Sequence, residues 1–573
     1  MNRVEDVNGF EKKRGETEVL VAGAGPVGLM AAGELARRGM AVRVLEKATE
    51  RSHLSKALVV QPRTLETMDL IGLADEFIQR GYPAPGLNVG LGSNKKPVSV
   101  EMRGLDTRFP FLLVLPQQET EEVLEDRLGE HGVALERGVE FVGFERSDDE
   151  NVVSRVRLPD GGEELVRSRY LIGCDGAHST VRHAVGLPFE GTNYDSVVFL
   201  ADVKIESKKF VKSRITNFTS WRGFVSVLPF LGEYSRIFAV DFAKQLRAPN
   251  EELTLADLQD TVDAVVPMEF TMREPGWLTR FYAPSRQVPT NRAGRVFLAG
   301  DAAHAHSPAG GQGMNTGLQD AFNLSWKLAM VLRGDAPEEI LASYDAERHP
   351  VDARIQRETD IMLRSFLLRN PALKAVRDLA ARTLIPLRPV QRRLAGDLSG
   401  IDINYRFTER TREDRQRKLP AGALRAGDHV PDLELWDLRR PSVRLFELLR
   451  EPGYALFAFA SAMRLGDARE SLDALVRTVN DTYGGEVVRP YVVLDEETPD
   501  AVEAGAPVLI DFKGQFRGKL GAGHASVLLV RPDGYVAFHR VGHNLQALSA
   551  ALASWAGHRR HVRGQLLAAP GGG

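Results

Sequence analysis

The sequence predicts an α/β protein of several domains, and three observations support this fold class. Within the first 320 residues, three short apolar stretches each end at a carboxylate or a glycine turn, and each leads into a helix-forming segment. Residues 196–242 instead contain strand-like stretches that are rich in aromatic and β-branched side chains. After residue 419 strands and helices alternate again. We therefore expect α/β structure in the first 320 residues with a sheet-forming region over residues 196–242, and a further α/β domain after residue 419.

Length and composition limit the class of protein. A chain of 573 residues is too long for one core, and at roughly 150 residues per domain it predicts about three or four domains. The net charge of −3 and the 26% of charged residues give no indication of a nucleic acid or an anionic membrane as a partner. Cys174 is the only cysteine, so an internal disulfide is impossible. The charged N-terminus and the lack of a long apolar run predict a cytoplasmic protein without a membrane span.

The first apolar segment has the spacing of a dinucleotide-binding turn. A strand over residues 18–22 leads into Gly23, Gly25 and Gly28. In such a turn the first glycine allows the tight bend, the second lets a pyrophosphate approach the backbone, and the third lets helix and strand pack closely. The following strand ends at Glu46, where an acid would accept hydrogen bonds from an adenosine ribose. These features in register predict a site for an adenine dinucleotide.

The second segment brings Asp175 to the end of a strand over residues 170–173. Gly176 and a helix-capping Ser179 follow it. A solvated helix cap would give the same local pattern, so this segment alone does not separate a binding carboxylate from a structural one.

The third segment is an apolar strand that ends at Gly300 and Asp301. A proline- and glycine-rich loop follows and opens an amphipathic helix near Asn315. Asp301 is placed to bond a ribitol or ribose hydroxyl, and the amides of residues 310–315 are placed to stabilise negative charge on a ring carbonyl. The alternative is a loop that only caps the helix.

Together the three motifs resemble those of the group A aromatic flavin monooxygenases, the para-hydroxybenzoate hydroxylase family. That family has Gly-x-Gly-x-x-Gly near the start, Asp-Gly-x-x-Ser-x-x-Arg in the middle, and Gly-Asp-Ala-Ala-His with Pro-x-x-Gly-Gln-Gly later. The matching residues here are 23–28, 175–182, 300–304 and 308–313, in the same order. The resemblance extends over roughly residues 18–405.

The resemblance implies a Rossmann-like FAD-binding domain of the GR2 or para-hydroxybenzoate hydroxylase type, with an inserted β-sheet substrate domain. We expect residues 1–190 and 286–405 to form the FAD-binding domain, the second part with helices. Residues 191–285 are then the substrate domain, and strands near 85–115 contribute to it.

The remaining residues resemble the thioredoxin-like C-terminal domain of phenol hydroxylases and polyketide hydroxylases. This domain is predicted over residues 419–560, after a linker at 406–418 and before a tail at 561–573. It lacks the cysteine pair that redox activity requires. We expect it to be structural or to support a dimer, so that the protein is a monomer or a homodimer.

The family also implies which residues bind FAD and the nicotinamide. Lys56 stands where the family often has an arginine that reaches the pyrophosphate, and it supplies charge without two-pronged hydrogen bonding. Gln117 matches a glutamine that touches the flavin, although an N-terminal helix cap is the alternative. The predicted cofactor-binding residues are Gly23, Gly25, Pro26, Val27, Gly28, Glu46, Lys47, Lys56, Gln117, Asp175, Asp301, Pro308, Gly311, Gly313, Met314 and Asn315.

Substrate and catalytic residues are less constrained by the motifs. No catalytic base follows from the sequence, and the candidates are Arg236, His306 and Tyr282. Core packing is an equally good explanation for the two phenylalanines among the predicted substrate contacts. No metal site is predicted, because His304 and His306 have no third ligand near them in sequence. The predicted substrate contacts are Phe224, Phe238, Pro308 and Gly310.

By resemblance, NADPH or NADH reduces FAD, dioxygen adds to the flavin C4a carbon, and the resulting hydroperoxide hydroxylates a small aromatic substrate. The three-part chain is typical of members that act on polycyclic aromatic polyketides or substituted phenols, so the resemblance implies hydroxylation of a phenolic, polycyclic aromatic substrate of the polyketide type. Two alternatives remain open at this point: Baeyer–Villiger oxygenation of a polyketide ketone, and a flavin-dependent reductase or dehydrogenase without oxygen activation. The intact loop over residues 300–315 argues against a third, a binding protein without turnover.

Overall fold

The computed structural model describes residues 15–51, 57–91, 97–244, 253–307, 310–415, 419–437, 440–496 and 505–557. The chain divides into two compact units. One consists of residues 1–325 and 344–403, and the other of residues 326–343 and 404–573. No helix in the described ranges is both long and apolar enough to cross a membrane.

The strands of the first unit range from 2 to 17 residues in length. They are β1 (Glu16–Ala22), β2 (Val42–Glu46), β3 (Val59–Val60), β4 (Tyr82–Ala84), β5 (Gly86–Leu91), β6 (Val98–Glu101), β7 (Leu112–Val114), β8 (Leu135–Arg137), β9 (Glu140–Ser147), β10 (Val152–Arg157), β11 (Glu163–Gly173), β12 (Glu190–Glu206), β13 (Ile215–Thr219), β14 (Gly223–Pro229), β15 (Tyr234–Asp241), β16 (Thr271–Gln287), β17 (Arg292–Ala293), β18 (Val296–Leu298) and β19 (His304–Ala305).

The helices that begin before residue 400 are α1 (Pro26–Arg37), α2 (Pro62–Leu70), α3 (Ala74–Arg80), α4 (Gln117–Glu130), α5 (Thr180–Ala184), α6 (Leu255–Val265), α7 (Gly313–Arg333), α8 (Ala342–Phe366), α9 (Pro371–Leu384) and α10 (Arg388–Ser399). The elements after residue 400 are α11 (Glu409–Arg415), β20 (Glu434–Asp437), β21 (Arg440–Arg444), α12 (Leu445–Leu449), β22 (Tyr454–Ala460), α13 (Leu465–Tyr483), β23 (Val488–Leu494), β24 (Val508–Ile510), α14 (Gln515–Leu520), β25 (Ala525–Val530), β26 (Val536–Val541) and α15 (Leu545–Trp555).

A largely parallel sheet carries the three sequence motifs. Its strand order is β17-β18-β11-β1-β2-β8, and β10 and β9 extend it beside β11. The pairs of β1 with β2, β1 with β11 and β11 with β18 are parallel. Residues 19–22 of β1 are almost fully buried, as expected for a central strand with both faces covered.

A second sheet has the order β19-β16-β12-β15-β14-β13-β5-β6 and is mostly antiparallel. One face packs on α6 around Phe199, Val225, Ile237, Leu258 and Val262. Within the predicted segment 85–115, β5 and β6 join this sheet. The third strand of that segment, β7, lies elsewhere, because it pairs with β3 and β4 in a separate three-stranded sheet.

The second unit contains a sheet of order β21-β20-β24-β23-β22-β25-β26. Its central strand β22 is at most 1% exposed at every position, and it pairs in parallel with β23 and antiparallel with β25. Arg531 is buried in this unit and donates to Asp533, which also accepts from the Trp326 indole at 3.0 Å. The likeness of this unit to thioredoxin stays a prediction, as do the exact domain boundaries.

Candidate active site

The three motifs meet at one edge of the parallel sheet. Ala22 at the end of β1 lies beside Gly173 at the end of β11, and Gly173 lies beside Leu298 at the end of β18. The turn after β1, Asp175 after β11 and Asp301 after β18 therefore leave the sheet side by side. The carboxyl edge of a parallel sheet is where α/β proteins bind nucleotides.

The glycines after β1 differ in what surrounds them. A Cβ on Gly23, which has a φ of 97°, would lie 2.5 Å from the Cys174 carbonyl oxygen. A Cβ on Gly28 would lie 1.9 Å from the Gly23 carbonyl oxygen. Around Gly25 no atom lies within 4 Å of such a Cβ. Gly23 and Gly28 thus permit the turn itself, whereas Gly25 leaves open space next to its backbone.

Glu46 ties the end of β2 to this glycine turn. Its carboxylate accepts hydrogen bonds from the backbone amides of Ala24 at 2.9 Å and Ala48 at 3.0 Å. The acid predicted to bind a ribose is therefore held beside the turn by two fixed donors. Its contact with a ribose stays a prediction.

Asp175 caps a helix and also lines a cavity. Its carboxylate accepts from the Ser179 hydroxyl at 2.5 Å and from the Val181 amide at 3.1 Å, at the start of α5. Ser179 in turn caps the helix by accepting from the Arg182 amide at 2.9 Å. The same aspartate lines the large cavity of this unit, so capping fixes its position without removing it from that cavity.

This cavity has a volume of about 1340 Å³, above the roughly 300–1,000 Å³ that is typical of a pocket for one drug-sized ligand. It runs from the glycine turn to the second sheet and to helices α8–α10. The predicted site residues in its lining are Gly25, Pro26, Val27, Lys47, Gln117, Asp175, Phe224, Arg236, Phe238, Asp301, His306, Gly310, Gly311, Gly313 and Met314.

Some predicted site residues lie behind the lining or outside the described ranges. Gly23, Gly28, Glu46 and Asn315 do not line the cavity. Lys56 and Pro308 lie outside the described residues. The backbone of Tyr282 pairs with Val197 in the second sheet, and its side chain is outside the description.

Asn315 serves as a clamp between the loop that precedes α7 and strand β3. Its side chain is fully buried; it accepts from the Gln61 amide at 2.8 Å and donates to the carbonyls of Val59 at 2.7 Å and Gly311 at 2.8 Å. The side chain is thus committed to shaping the loop. A role of its backbone amide toward a flavin ring stays a prediction.

Gln117 is the first residue of α4 and lines the cavity. Its side-chain oxygen accepts from the Ala57 amide at 3.1 Å, and its side-chain nitrogen donates to Glu121 at 2.8 Å. Burial raises the pKa of Glu121. The glutamine is therefore oriented by two protein groups before any ligand binds.

The part of the cavity next to the second sheet is apolar. Phe224 stacks on Phe366 with ring centroids 4.7 Å apart, and it meets the Phe238 ring edge-on at 6.0 Å. Both Phe224 and Phe238 line the cavity while also packing on each other, and their contact with a substrate stays a prediction. Further apolar lining comes from Leu87, Val89, Val100, Ile215, Leu228, Met362, Ile385, Leu394 and Leu398.

Arg236 lines the cavity, and neighbouring side chains fix its guanidinium in place. Its guanidinium donates twice to Asp202, at 2.5 and 2.8 Å, and lies over the rings of Trp277 and Phe230 at 5.0 and 5.7 Å. The side chain is fully buried. This geometry favours a structural role over that of a mobile catalytic group.

Arg286 is a cavity-lining cation that the sequence analysis missed. It lies in β16 beside Ala305, and its Nε has no hydrogen-bond partner among the described residues. Proximity to Arg286 is one reason that the pKa of Arg182 is lowered, after the larger effect of burial. The sequence signal was weak, since the arginine is in a long strand without a motif.

A buried polar network behind His306 was also missed. The His304 ring contacts His306 through Nδ1 at 3.0 Å and Asp320 through Nε2 at 2.7 Å. Arg348 donates to the other oxygen of Asp320 at 2.6 Å and to Asp352 at 3.4 Å. All of these groups except His306 are at most 1% exposed. Arg348 supplies one positive charge between the two carboxylates, and a protonated His304 supplies the second, so the two carboxylates are balanced by two cationic side chains.

The charges in this network shift each pKa in a definite direction. Burial lowers the pKa of His304, but the carboxylates of Asp352 and Asp320 outweigh it and raise the pKa to about 9. Burial and the charge of His304 lower the pKa of His306 to about 3. Burial raises the pKa of Asp320, but Arg348 and His304 hold it below its usual value. Burial and Asp320 raise the pKa of Asp352.

Comparison with known proteins agrees with this geometry. Residues 16–359 match the family model described as an FAD binding domain, and residues 424–558 match that of the aromatic-ring hydroxylase C-terminal region. The 6-methylpretetramide 4-monooxygenase of Streptomyces rimosus is 35% identical over 532 residues, covering 91% of this chain and 90% of that protein. The pentachlorophenol 4-monooxygenase of Sphingobium chlorophenolicum is 32% identical over 525 residues, covering 91% and 93%.

The solved structure of the anhydrotetracycline hydroxylase OxyS from Streptomyces rimosus superposes with a TM-score of 0.73 at 30% identity, covering 94% of this chain and 99% of that one. Fold, cavity and matches together define an FAD-dependent aromatic monooxygenase. The chain belongs to the FAD-binding aromatic-ring hydroxylase family, of the para-hydroxybenzoate hydroxylase type. The predicted family and the predicted α/β fold class are thereby confirmed.

Proposed function

We propose that this enzyme hydroxylates a phenolic, polycyclic aromatic compound of the polyketide type, with NADPH or NADH as reductant. The observation that carries the proposal is the single cavity that joins Gly25 at the glycine turn to the apolar residues of the second sheet and α10. Its volume of about 1340 Å³ is larger than one ligand of ordinary size requires. It therefore suits a cofactor ring and a multi-ring substrate side by side.

The residues at the glycine turn fit FAD. Open space beside Gly25 lets a pyrophosphate approach the backbone at the N-terminus of α1. In this proposal Glu46 binds the adenosine ribose, Asp301 the ribitol chain, and the start of α7 at Gly313 and Met314 the ring; Asp301, Gly313 and Met314 line the cavity. Bound FAD would supply two-electron transfer from the nicotinamide and the activation of dioxygen.

The protein side chains then position the substrate and exclude water. Phe224 and Phe366 stack on each other and line the chamber, and apolar side chains from β5, β6, β13 and α10 enclose the rest of it. A multi-ring aromatic buries more apolar area in such a chamber than a single ring does, and each buried Å² contributes roughly 25 cal/mol. Asp175 and its neighbours on the cavity wall are proposed to meet the nicotinamide.

The names of the relatives state their substrates, and these support the proposed substrate class. The relatives act on 6-methylpretetramide, anhydrotetracycline and pentachlorophenol. Two of these are multi-ring compounds and one is a substituted phenol, and the apolar chamber favours the multi-ring class. We also propose that the protein is cytoplasmic and acts as a monomer or homodimer.

The test is turnover of the FAD-loaded enzyme under ¹⁸O₂ with a panel of phenols and hydroxylated anthraquinones and naphthacenes. NADPH and NADH oxidation are compared with and without each compound. We expect a multi-ring phenol to stimulate oxidation and to gain one ¹⁸O atom in a new ring hydroxyl. Label in an ester or lactone would instead establish Baeyer–Villiger oxygenation, and product without label would establish a reductase or dehydrogenase. A preference for single-ring phenols would overturn the substrate class.

A further inference from the structure

We propose that His306 and His304 form a proton-sharing pair that binds the phenolic substrate as its phenolate. The inference rests on the phenolic substrate class proposed above. His306 lines the cavity directly after β19, and its Nε2 lies 3.0 Å from Nδ1 of His304. The second nitrogen of His304 lies 2.7 Å from Asp320. A continuous chain of hydrogen bonds thus leads from the cavity wall to a buried carboxylate.

The hydrogen positions along this chain follow from the chemistry of the partners. The carboxylate of Asp320 accepts hydrogen bonds, so Nε2 of His304 carries a hydrogen. If His304 is cationic, its Nδ1 donates to Nε2 of His306, and Nδ1 of His306 carries the hydrogen. If His304 is neutral, His306 donates instead, and Nδ1 of His306 becomes an acceptor. The state of His304 therefore decides whether His306 donates or accepts at Nδ1.

Nδ1 of His306 is the free end of this chain. It is buried and has no hydrogen-bond partner among the described residues. A buried polar nitrogen without a partner is costly, by about 1–3 kcal/mol. His306 lines the cavity, so we infer that a ligand bound there supplies the partner, and an oxygen atom fits both states of the nitrogen. A phenol oxygen donates to the neutral pair, and a phenolate oxygen accepts from the cationic pair.

The surrounding charges place the positive charge on His304 rather than on His306. Asp320 at 2.7 Å and Asp352 at 3.7 Å face His304, Arg348 holds both carboxylates, and Asp301 adds a weaker attraction. These carboxylates raise the pKa of His304 to about 9, whereas burial and the His304 charge lower the pKa of His306 to about 3. At neutral pH the pair therefore carries one positive charge, and His306 offers a hydrogen at Nδ1.

A phenol bound by the pair loses its hydroxyl proton, and no other bond of the phenol changes. An ordinary phenol has a pKa of about 10. At neutral pH the cationic pair stabilises the phenolate, the phenol O–H bond breaks, and its proton leaves to the solvent. Above the pKa of the pair, the phenol proton moves to Nδ1 of His306. The hydrogen on Nε2 of His306 then moves to Nδ1 of His304, and no proton is released to the solvent. Either way the ring becomes more electron-rich, which favours attack on an electrophilic oxygen.

Calorimetric titration of the oxidised, FAD-loaded enzyme with 2-naphthol tests this inference without turnover. The titration is repeated at about pH 7.5 in buffers of different ionisation enthalpy, so that proton release is measured directly. We expect about one proton released per bound 2-naphthol, together with the absorbance of the naphtholate. Binding without proton release and with the absorbance of the neutral naphthol would overturn the inference.

Matched variants separate proton sharing from packing. His306→Gln keeps the length and a hydrogen-bonding end but carries no charge, and His304→Gln keeps an amide nitrogen for Asp320. Both should release less than a fifth of the wild-type protons, roughly, while flavin content stays normal. His131→Asn, at the end of α4 and outside the cavity lining, should release as many protons as the wild type. Equal release by wild type and both glutamine variants would contradict the proposal.

The outcome is distinguishable from failure of the proposed function. Ionisation of 2-naphthol by the pair, combined with no ¹⁸O in any product, would leave the proton-sharing pair intact and refute hydroxylation. Hydroxylation with ¹⁸O, combined with no proton release in the wild type, would support the function and refute the pair.

Discussion

The side-chain amide of Asn315 donates a hydrogen bond of 2.7 Å to the backbone carbonyl of Val59. The same side chain accepts a hydrogen bond from the backbone amide of Gln61 at 2.8 Å. One side chain therefore pairs with two backbone groups where the chain passes from β3 to α2. Asn315 also donates to Gly311 in the loop before α7. The position of the loop that carries Gly310 and Gly311 on the cavity wall therefore depends on this one side chain.

We expect Asn315→Ala to lower the free energy of unfolding by about 3 kcal/mol, because it leaves buried backbone groups without partners. Flavin content should fall as well, since the loop at the cavity wall loses its anchor. Denaturant unfolding and the ratio of flavin absorbance to protein absorbance measure the two effects. Asn151→Ala, between β9 and β10, serves as the control. An unchanged unfolding midpoint in Asn315→Ala would show that the clamp carries no stability.

Gly25 and Gly28 allow a paired test of binding against folding. A methyl group on Gly25 meets no atom within 4 Å, whereas one on Gly28 would lie 1.9 Å from the Gly23 carbonyl oxygen. Gly25→Ala should therefore keep the melting temperature of the flavin-free protein and weaken FAD binding at least about tenfold, because the methyl group fills the pyrophosphate site. Gly28→Ala should instead lower the melting temperature or prevent folding. The opposite ranking would contradict the assignment of the two glycines.

The sequence was sufficient for the parts of the site that are local in the chain. The glycine turn, Asp175 and Asp301 are each fixed by a few residues around the end of a strand. Their common location follows because the carboxyl ends of neighbouring parallel strands lie at one edge. The family motifs then supplied the fold class.

The sequence was insufficient where partners are distant in the chain. His304 is completed by Asp320 on α7 and by Asp352 and Arg348 on α8, and none of these has a motif that links it to the loop. The pairing of β7 with β3 and β4 was missed for a similar reason, because a three-residue apolar run does not specify its neighbour. The sequence did not reveal the clamp made by Asn315, because its side chain bonds to backbone groups, and these are present whatever the side chains are.

The ion pair between the buried Arg236 and Asp202 should matter more for stability than an ion pair between two exposed side chains. Arg236 is fully buried and donates twice to Asp202. Asp202→Ala removes the carboxylate that accepts both hydrogen bonds from this buried guanidinium and should cost about 3 kcal/mol of unfolding free energy. Arg157 and Glu140 form an ion pair of 2.8 Å in which both side chains are largely exposed. Glu140→Ala should therefore cost less than about 1 kcal/mol. Denaturant titrations of both variants check the contrast, and equal losses would contradict it.

The last prediction concerns the pH dependence of stability that His304 confers. The carboxylates of Asp352 and Asp320 outweigh burial and raise the pKa of folded His304 to about 9, whereas an unfolded histidine has a pKa of about 6.5. A raised folded-state pKa means that the folded protein holds this proton more tightly than the unfolded chain. The contribution of His304 to stability is therefore complete below about pH 6.5 and declines as the pH rises, until it is lost above about pH 9.

The measurement is the unfolding free energy of the wild type minus that of His304→Gln, at several values between about pH 6 and pH 9.5. Taking the difference removes the contributions of other groups that titrate alike in both proteins. We expect this difference to shrink steadily as the pH rises, because deprotonation of His304 removes its attraction to Asp320 and Asp352. A difference that stays constant across the range, or that grows with pH, would show that His304 is neutral in the folded protein at neutral pH. That result would also remove the positive charge on which the proton-sharing pair with His306 depends.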